Sequence, residues 1–523
     1  MVRSCRADNT HRSRRKSAVI RSRTTVYLII TAASAACGLI IEIAAGRMIA
    51  PYLGMSLYTW TAIIAVVLAG FSLGHWVGGR ISEQSAEDVR FHVAASLLLA
   101  AVSTAASLLL IRLLAGPVIN LGMAPVPTIL VITMALFFLP SFFVGIPSPA
   151  LTKLAIDEQP ERIGRILGAF FAAGALGSIG GTLAAGFLFI SWLGTIGTYL
   201  AVAAAFLVMG LVMLLMGRDT GRGKAGVLLV VVVLACGALG ALGARVNAFV
   251  SPCETESDYY CIRVAAVPAG DGRTARAMVL DHLGHGINLR DTPRALLTPY
   301  VEMQDNLARI HSGRRSPFRA FFIGGGAYTL PRAWLAARPD AEITVAEIDP
   351  AVTRTAIASL WLIPDKRLRV RHQDARRALR EMPTGTLDVI VGDAFHDITM
   401  PQHLATREFF ASVKSRLMTD GIYLMNVVDH HDRPRLAISI LATLQTVFPV
   451  VELWRSDEQG RRSTFVLAGL EHKTPYSRIA SRASPGTAFA RVGGAEIKKL
   501  KNSLAPLVLT DDFAPVDRLI GVR

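Results

Sequence analysis

Seven apolar runs, each long enough to cross a bilayer, lie near 25–46, 57–79, 93–114, 127–147, 165–191, 196–216 and 225–245. Every backbone polar group in hydrocarbon must be satisfied internally, so such runs have little choice but helix. The first half of the chain is therefore expected to be an α-helical, multi-span membrane domain over 25–246, behind a basic tail of residues 1–24. A hydrophobic fraction of 52% agrees, being too high for one soluble globule. The first run is long and more follow it, which argues against a cleavable signal.

The formal charge is +16, which invites a nucleic-acid reading. Its placement argues against one. Much of it sits in "MVRSCRADNTHRSRRKSAVIRSRT" and in the stretches 78–90, 153–165 and 217–224, while 114–127 and 191–197 carry no lysine or arginine. That alternation is expected of spans with their basic loops and N-terminus in the cytoplasm, here of a cell (inner) membrane. Seven spans then put the C-terminal half outside. The fifth run, "GAFFAAGALGSIGGTLAAGF", is rich in small residues that permit close helix packing. Glu42 in the first run is either functional or an internal ion pair with Arg47, and His75 reads as a packed histidine.

The five cysteines include no Cys-x-x-Cys pair, so no metal site is expected. Cys253 and Cys261 read first as free thiols. A disulfide between them becomes reasonable only where that segment meets an oxidising compartment.

From about residue 250 the pattern changes. Paired strands at "YYCIRVAAV" and "ARAMVLDHL" begin a small region, 250–318, in which a helix follows over 293–311. Strands then alternate with helices through 319–523. This predicts an α/β Rossmann-like, methyltransferase-type domain with a mostly parallel sheet and a small N-terminal β-hairpin region. Ligands in such sheets sit at the carboxyl ends of the strands. Those ends read in series: Gly324, Gly325 and Gly326, then Glu347, then Asp374, then Asp393. Glycines let a backbone approach a ligand, a carboxylate at Glu347 can accept both ribose hydroxyls, and Asp374 can accept an adenine amino group. With no second basic cluster, an uncharged or cationic nucleoside fits better than a polyphosphate.

At these residues the chain resembles the spermidine synthase (polyamine aminopropyltransferase) family, and more closely its membrane-fused branch. "IGGG", "VAEIDPAV", "QDA", "GDAFHDITMPQHLATREFF" and "LTDDFAPVDRLI" fall in the family's order, and "GLIIEIAAGRMIAPYLG" and "GFSLGHWVGGRIS" resemble that branch's opening spans. The resemblance implies transfer of an aminopropyl group from decarboxylated S-adenosylmethionine to an amine, with no metal and no bound cofactor. It makes Asp393 the catalytic acid/base, gives the donor to Gly324, Gly325, Gly326, Glu347 and Asp374, and puts Tyr259, Tyr260, His285, His396 and Asp397 in the amine site. The implied partners are the lipid bilayer, a small polyamine or amine and a homodimer mate, with no nucleic acid.

The chain also departs from the family's pattern. Ala327 stands where the family has an aspartate, His396 replaces a second acid, Tyr260 and His285 replace glutamines, and Val301 replaces a histidine before Glu302; Asp281 is kept, followed by His282. The nucleoside half is intact and the amine half is rewritten. Two other readings stay open: a methyltransferase-like enzyme with another S-adenosyl donor, or a transporter or sensor that only binds a nucleoside or polyamine. The span count adds a difficulty, because adenosyl donors are not expected outside. A miscounted span, delivery through the membrane domain, or sensing of external ligands would each resolve it.

Overall fold

The computed structural model describes residues 2–217, 222–269, 272–313, 315–395, 400–457, 462–483 and 486–521. The chain divides into two compact units, Met1–Ser251 and Pro252–Arg523.

The N-terminal unit is helical. Among the described residues six helices are long and apolar enough to cross a membrane: Arg23–Leu53, Leu57–Ile81, Ala86–Asn120, Pro125–Glu158, Pro160–Met216 and Gly223–Arg245. The count is six rather than seven because runs 165–191 and 196–216 share one continuous helical stretch, Pro160–Met216. Straight, its 57 residues would span roughly 86 Å, far beyond a bilayer. It is not straight. Gly194 leaves the helical region at φ 66°, ψ 179°. Before it, Gly177 and Gly181 climb along Ala32 and Ala36; beyond it, the Tyr199 hydroxyl meets the carbonyl of nearby Ile41, so the chain has turned back. The small residues do the packing expected of them: a Cβ on Gly177 would lie 2.1 Å from the Ala32 carbonyl oxygen. His75 differs from expectation. It is exposed and bonds the Phe71 carbonyl of its own helix at 2.6 Å. Glu42 is half-buried.

The C-terminal unit holds two sheets. The smaller is antiparallel, in the order β1 (Thr255–Glu256), β2 (Cys261–Pro268), β3 (Thr274–Leu280) and β4 (Leu283–Asn288). The larger has nine strands. Its parallel half is β5 (Phe318–Ile323), β6 (Ala341–Ala346), β7 (Leu368–Arg371), β8 (Leu387–Gly392) and β9 (Leu417–His430). The antiparallel half is β10 (Val450–Ser456), β11 (Arg462–Leu470), β12 (Arg478–Ala480) and β13 (Ala488–Arg491). The order across the sheet is β12-β13-β10-β11-β9-β8-β5-β6-β7. The sheet is thus mixed, less parallel than the alternation suggested, because the last four strands follow one another without crossover helices. Its central parallel strands are mostly apolar, as strands covered on both faces tend to be; β8 is buried at every position. The expected helix over 293–311 begins only at Pro299, which suits the first turn of a helix.

Cys253 and Cys261 are joined in a disulfide, contrary to the first reading of free thiols. The antiparallel pairing of Glu256 with Cys261 brings the chain back on itself and leaves the two Cα atoms 5.1 Å apart.

Candidate active site

Strand order reverses between β5 and β8, where β6 and β7 lie on one side and β9 on the other. A crevice must open there at the carboxyl ends. Gly324 ends β5 with φ 93°, and a Cβ on it would stand 2.7 Å from the Asp393 carbonyl oxygen. Only glycine allows the turn and the close approach together.

Glu347 ends β6 and is buried. One carboxylate oxygen accepts from the Gly325 backbone N–H at 2.8 Å and the other from the Asp349 N–H at 2.9 Å. The acid thus binds the glycine turn to the end of its own strand, and lone pairs remain for a ligand. Burial raises its pKa, against those two hydrogen bonds. Asp349 caps the following helix at Ala351 and bonds the Ser257 hydroxyl, which lies in the disulfide-closed loop. Asp374 caps the helix Ala375–Arg380 with one oxygen, on the Arg377 N–H at 3.0 Å. Its other oxygen meets His403 Nε2 at 2.7 Å.

Asp393 follows β8. Asn426 Nδ2 donates to one of its oxygens at 2.8 Å and the Tyr300 hydroxyl to the other at 3.1 Å. Burial of the carboxyl pushes its pKa up to about 6, against the pull of Asn426 and Tyr300. Two donors fix its plane, and near-neutral titration suits a proton acceptor.

A cleft runs along these ends and is lined by Gly324, Gly326, Glu347, Asp374, Asp393 and His403 among others. Tyr260 and His285 line it too. The Tyr260 hydroxyl donates to the Phe395 carbonyl at 3.1 Å, and burial of the ring lifts its pKa out of the physiological range. His285 is driven down to about 4 by burial, so it is neutral at pH 7. Tyr259 is exposed and lines neither this cleft nor its neighbour. His396 and Asp397 lie outside the described residues. Glu302 turns away to Ser481 and Arg482, and Asp281 accepts from the Cys261 N–H at 2.9 Å.

The structure brings Gly324, Gly326, Glu347, Asp374, Asp393, Tyr260 and His285 to one cleft, while Gly325 forms part of the adjoining cavity. Sequence reasoning missed His403 and Asn426. Asn426 had a signal. Gly392 pairs with Met425, which sets Asn426, inside β9, level with Asp393, so the neighbouring strand carries a polar residue at the height of the series. His403, in a short turn after a loop, had none.

Residues 315–455 match the spermine/spermidine synthase domain. The C-terminal unit carries such a domain. Among curated relatives, a polyamine aminopropyltransferase from Vibrio vulnificus is 32% identical over 130 residues, covering 24% of this chain and 42% of that protein. Polyamine aminopropyltransferase 2 of Streptomyces coelicolor is 26% identical over 427 residues, 79% of this chain and 75% of that one. A likeness that long reaches into the helical unit. The chain thus spans less than half of the Vibrio relative and three quarters of the Streptomyces one. A solved structure of a probable spermidine synthase from Corynebacterium glutamicum is 23% identical, with a TM-score of 0.43, over 49% of this chain and 95% of that one.

Proposed function

We propose that the synthase-like domain is a transferase of the aminopropyltransferase type, held at a membrane by the helical unit. The S-adenosyl donor, decarboxylated S-adenosylmethionine in the aminopropyl reaction, lies in the cleft with its ribose on Glu347 and its adenine toward Asp374 and His403. The acceptor amine comes to Asp393. The ammonium gives a proton to the Asp393 carboxylate, and the freed nitrogen lone pair attacks the carbon beside the sulfonium; the C–S bond breaks, its electrons leave on sulfur as the neutral thioether methylthioadenosine, and the alkylated nitrogen carries the positive charge. The chain supplies position and charge: a carboxylate favours both cationic reactants, and fixing the donor turns a bimolecular step into one within a complex.

The observation that carries this reading is Asp393, buried at the sheet's reversal point and held by Asn426 and Tyr300, where burial pushes its pKa up to about 6. The membrane part is supported by the six long apolar helices, with Pro160–Met216, turned at Gly194, read as two passages.

The test is methylthioadenosine release by the full chain in detergent, given decarboxylated S-adenosylmethionine and a panel of amines. Asp393→Asn should lower turnover about 10²–10⁴-fold, the range of a general base, while leaving donor binding in place. Release that does not depend on an amine, or that survives in Asp393→Asn, would overturn the assignment.

A further inference from the structure

Next to Asp393 the cleft adjoins a second, smaller cavity. It shares His285, Gly324 and Asp393 with the nucleoside cleft and continues past Tyr300 to Gln304 and Thr329. A reactant bound against Asp393 therefore has this cavity in reach.

Two polar atoms in its wall have no partner, Gln304 Nε2 and Thr329 Oγ1. Gln304 is 1% exposed and Thr329 6%. Buried polar groups are hydrogen-bonded in the great majority, so each exception needs a reason. Packing does not supply one. On the same helix, Pro299–Ser312, Glu302 is satisfied by Ser481 and Arg482 and Asp305 by Trp334 and Arg482, while Asn306 Nδ2 also lacks a partner but does not line this cavity. Gln304 faces the cavity instead.

The charges are as informative. Among the described lining residues Asp393 is the one carboxylate, and there is no lysine or arginine. The third position of the glycine turn is followed by Ala327, which is fully buried and brings no charge. An ammonium shut in such a place needs acceptors and a compensating charge. Asp393 is already engaged with the proton of the reacting amine.

We infer that this cavity receives a reactant chain ending in a group of no net charge that hydrogen-bonds Gln304 and Thr329: a hydroxyl, an amide or a zwitterionic amino-acid head, not an ammonium. The inference rests on the transferase reading and narrows its reactants. Either reactant can bring such an end, the donor through the chain on its sulfur or the acceptor through the chain behind its nitrogen.

The experiment uses the full chain in detergent and has two arms. In the donor arm, calorimetry compares methylthioadenosine, which has no chain, with decarboxylated S-adenosylmethionine and S-adenosylmethionine, whose head is zwitterionic. In the acceptor arm, methylthioadenosine release compares a diamine with the amino alcohol of equal length. We expect the neutral-ended reactant to be favoured about tenfold or more in at least one arm, which also identifies its source. Gln304→Glu, a near-isosteric change that adds a carboxylate, should move that preference about tenfold toward the ammonium-ended reactant. Thr329→Val should weaken only the neutral-ended one. Preference for the ammonium end in both arms overturns the inference. So does an unchanged preference in Gln304→Glu that still binds methylthioadenosine with native affinity. Absence of methylthioadenosine binding to the native chain overturns the nucleoside reading, and this inference with it.

Discussion

The cleft along Glu347 and Asp374 and the cavity beside Asp393 share a wall and are built by opposite means. In the cleft every acid is tied down: Glu347 by two backbone N–H groups, Asp374 by Arg377 and His403. In the cavity the polar groups at the far end, Gln304 and Thr329, have an atom with nothing to bond. A site held by its own backbone is ready for one ligand shape before the ligand comes. A site with open donors depends on the ligand to complete it. On the proposed reading the cleft sets affinity and the cavity sets the choice between reactants.

The largest effect that separates them is expected at Glu347. Glu347→Gln keeps one oxygen and loses the charge and one backbone acceptor. Losing charge-assisted bonds to a ribose should cost about 3 kcal/mol, roughly a hundredfold in the affinity for methylthioadenosine by calorimetry. Gln304→Leu, in the same assay, should leave that affinity unchanged. If the two variants behaved alike, the division between cleft and cavity would fail.

The same division explains what could be read in the sequence. Gly324, Glu347, Asp374 and Asp393 stand at successive strand ends of an alternating pattern, and one period places all of them. The cavity is assembled from β4, the helix Pro299–Ser312 and the start of the helix Thr329–Ala337, which no local period connects. Gln304 lies on a helix whose buried face also carries Glu302 and Asp305. Only the position of Arg482, far along the chain, shows which of the three is left over. The disulfide was hidden for a related reason. Its geometry comes from the turn between β1 and β2, and β1 is two residues long.

That disulfide gives the next effect in size. Cys253 and Cys261 close the loop that carries Ser257, bonded to Asp349, and Tyr260, in the cleft wall. For a sequence separation of 8, chain entropy alone gives a stabilisation of about 2.5 kcal/mol. Cys253→Ser, or reduction of the native chain, should lower the thermal midpoint of the C-terminal unit and weaken methylthioadenosine binding. The preference set by Gln304 should not move, since Tyr260 does not line the cavity. A change in that preference on reduction would mean that the two sites respond as one.

The smallest effect concerns the shared wall. Burial pushes the Asp393 carboxyl up to about 6, while Asn426 and Tyr300 pull it down. A base works ionised, so kcat/KM for the amine should rise as pH rises through about 6 and level off above it, read over roughly pH 5 to 9. Asn426→Ala and Tyr300→Phe each remove a hydrogen bond to the charged form, so each should move that midpoint upward, by up to about one unit or 1.4 kcal/mol. The direction is what distinguishes the roles. A residue that merely supports the fold would lower the plateau and leave the midpoint in place. A midpoint that rises with a largely retained plateau makes Asn426 a positioning residue, acting through the charge of Asp393 from the next strand of the sheet.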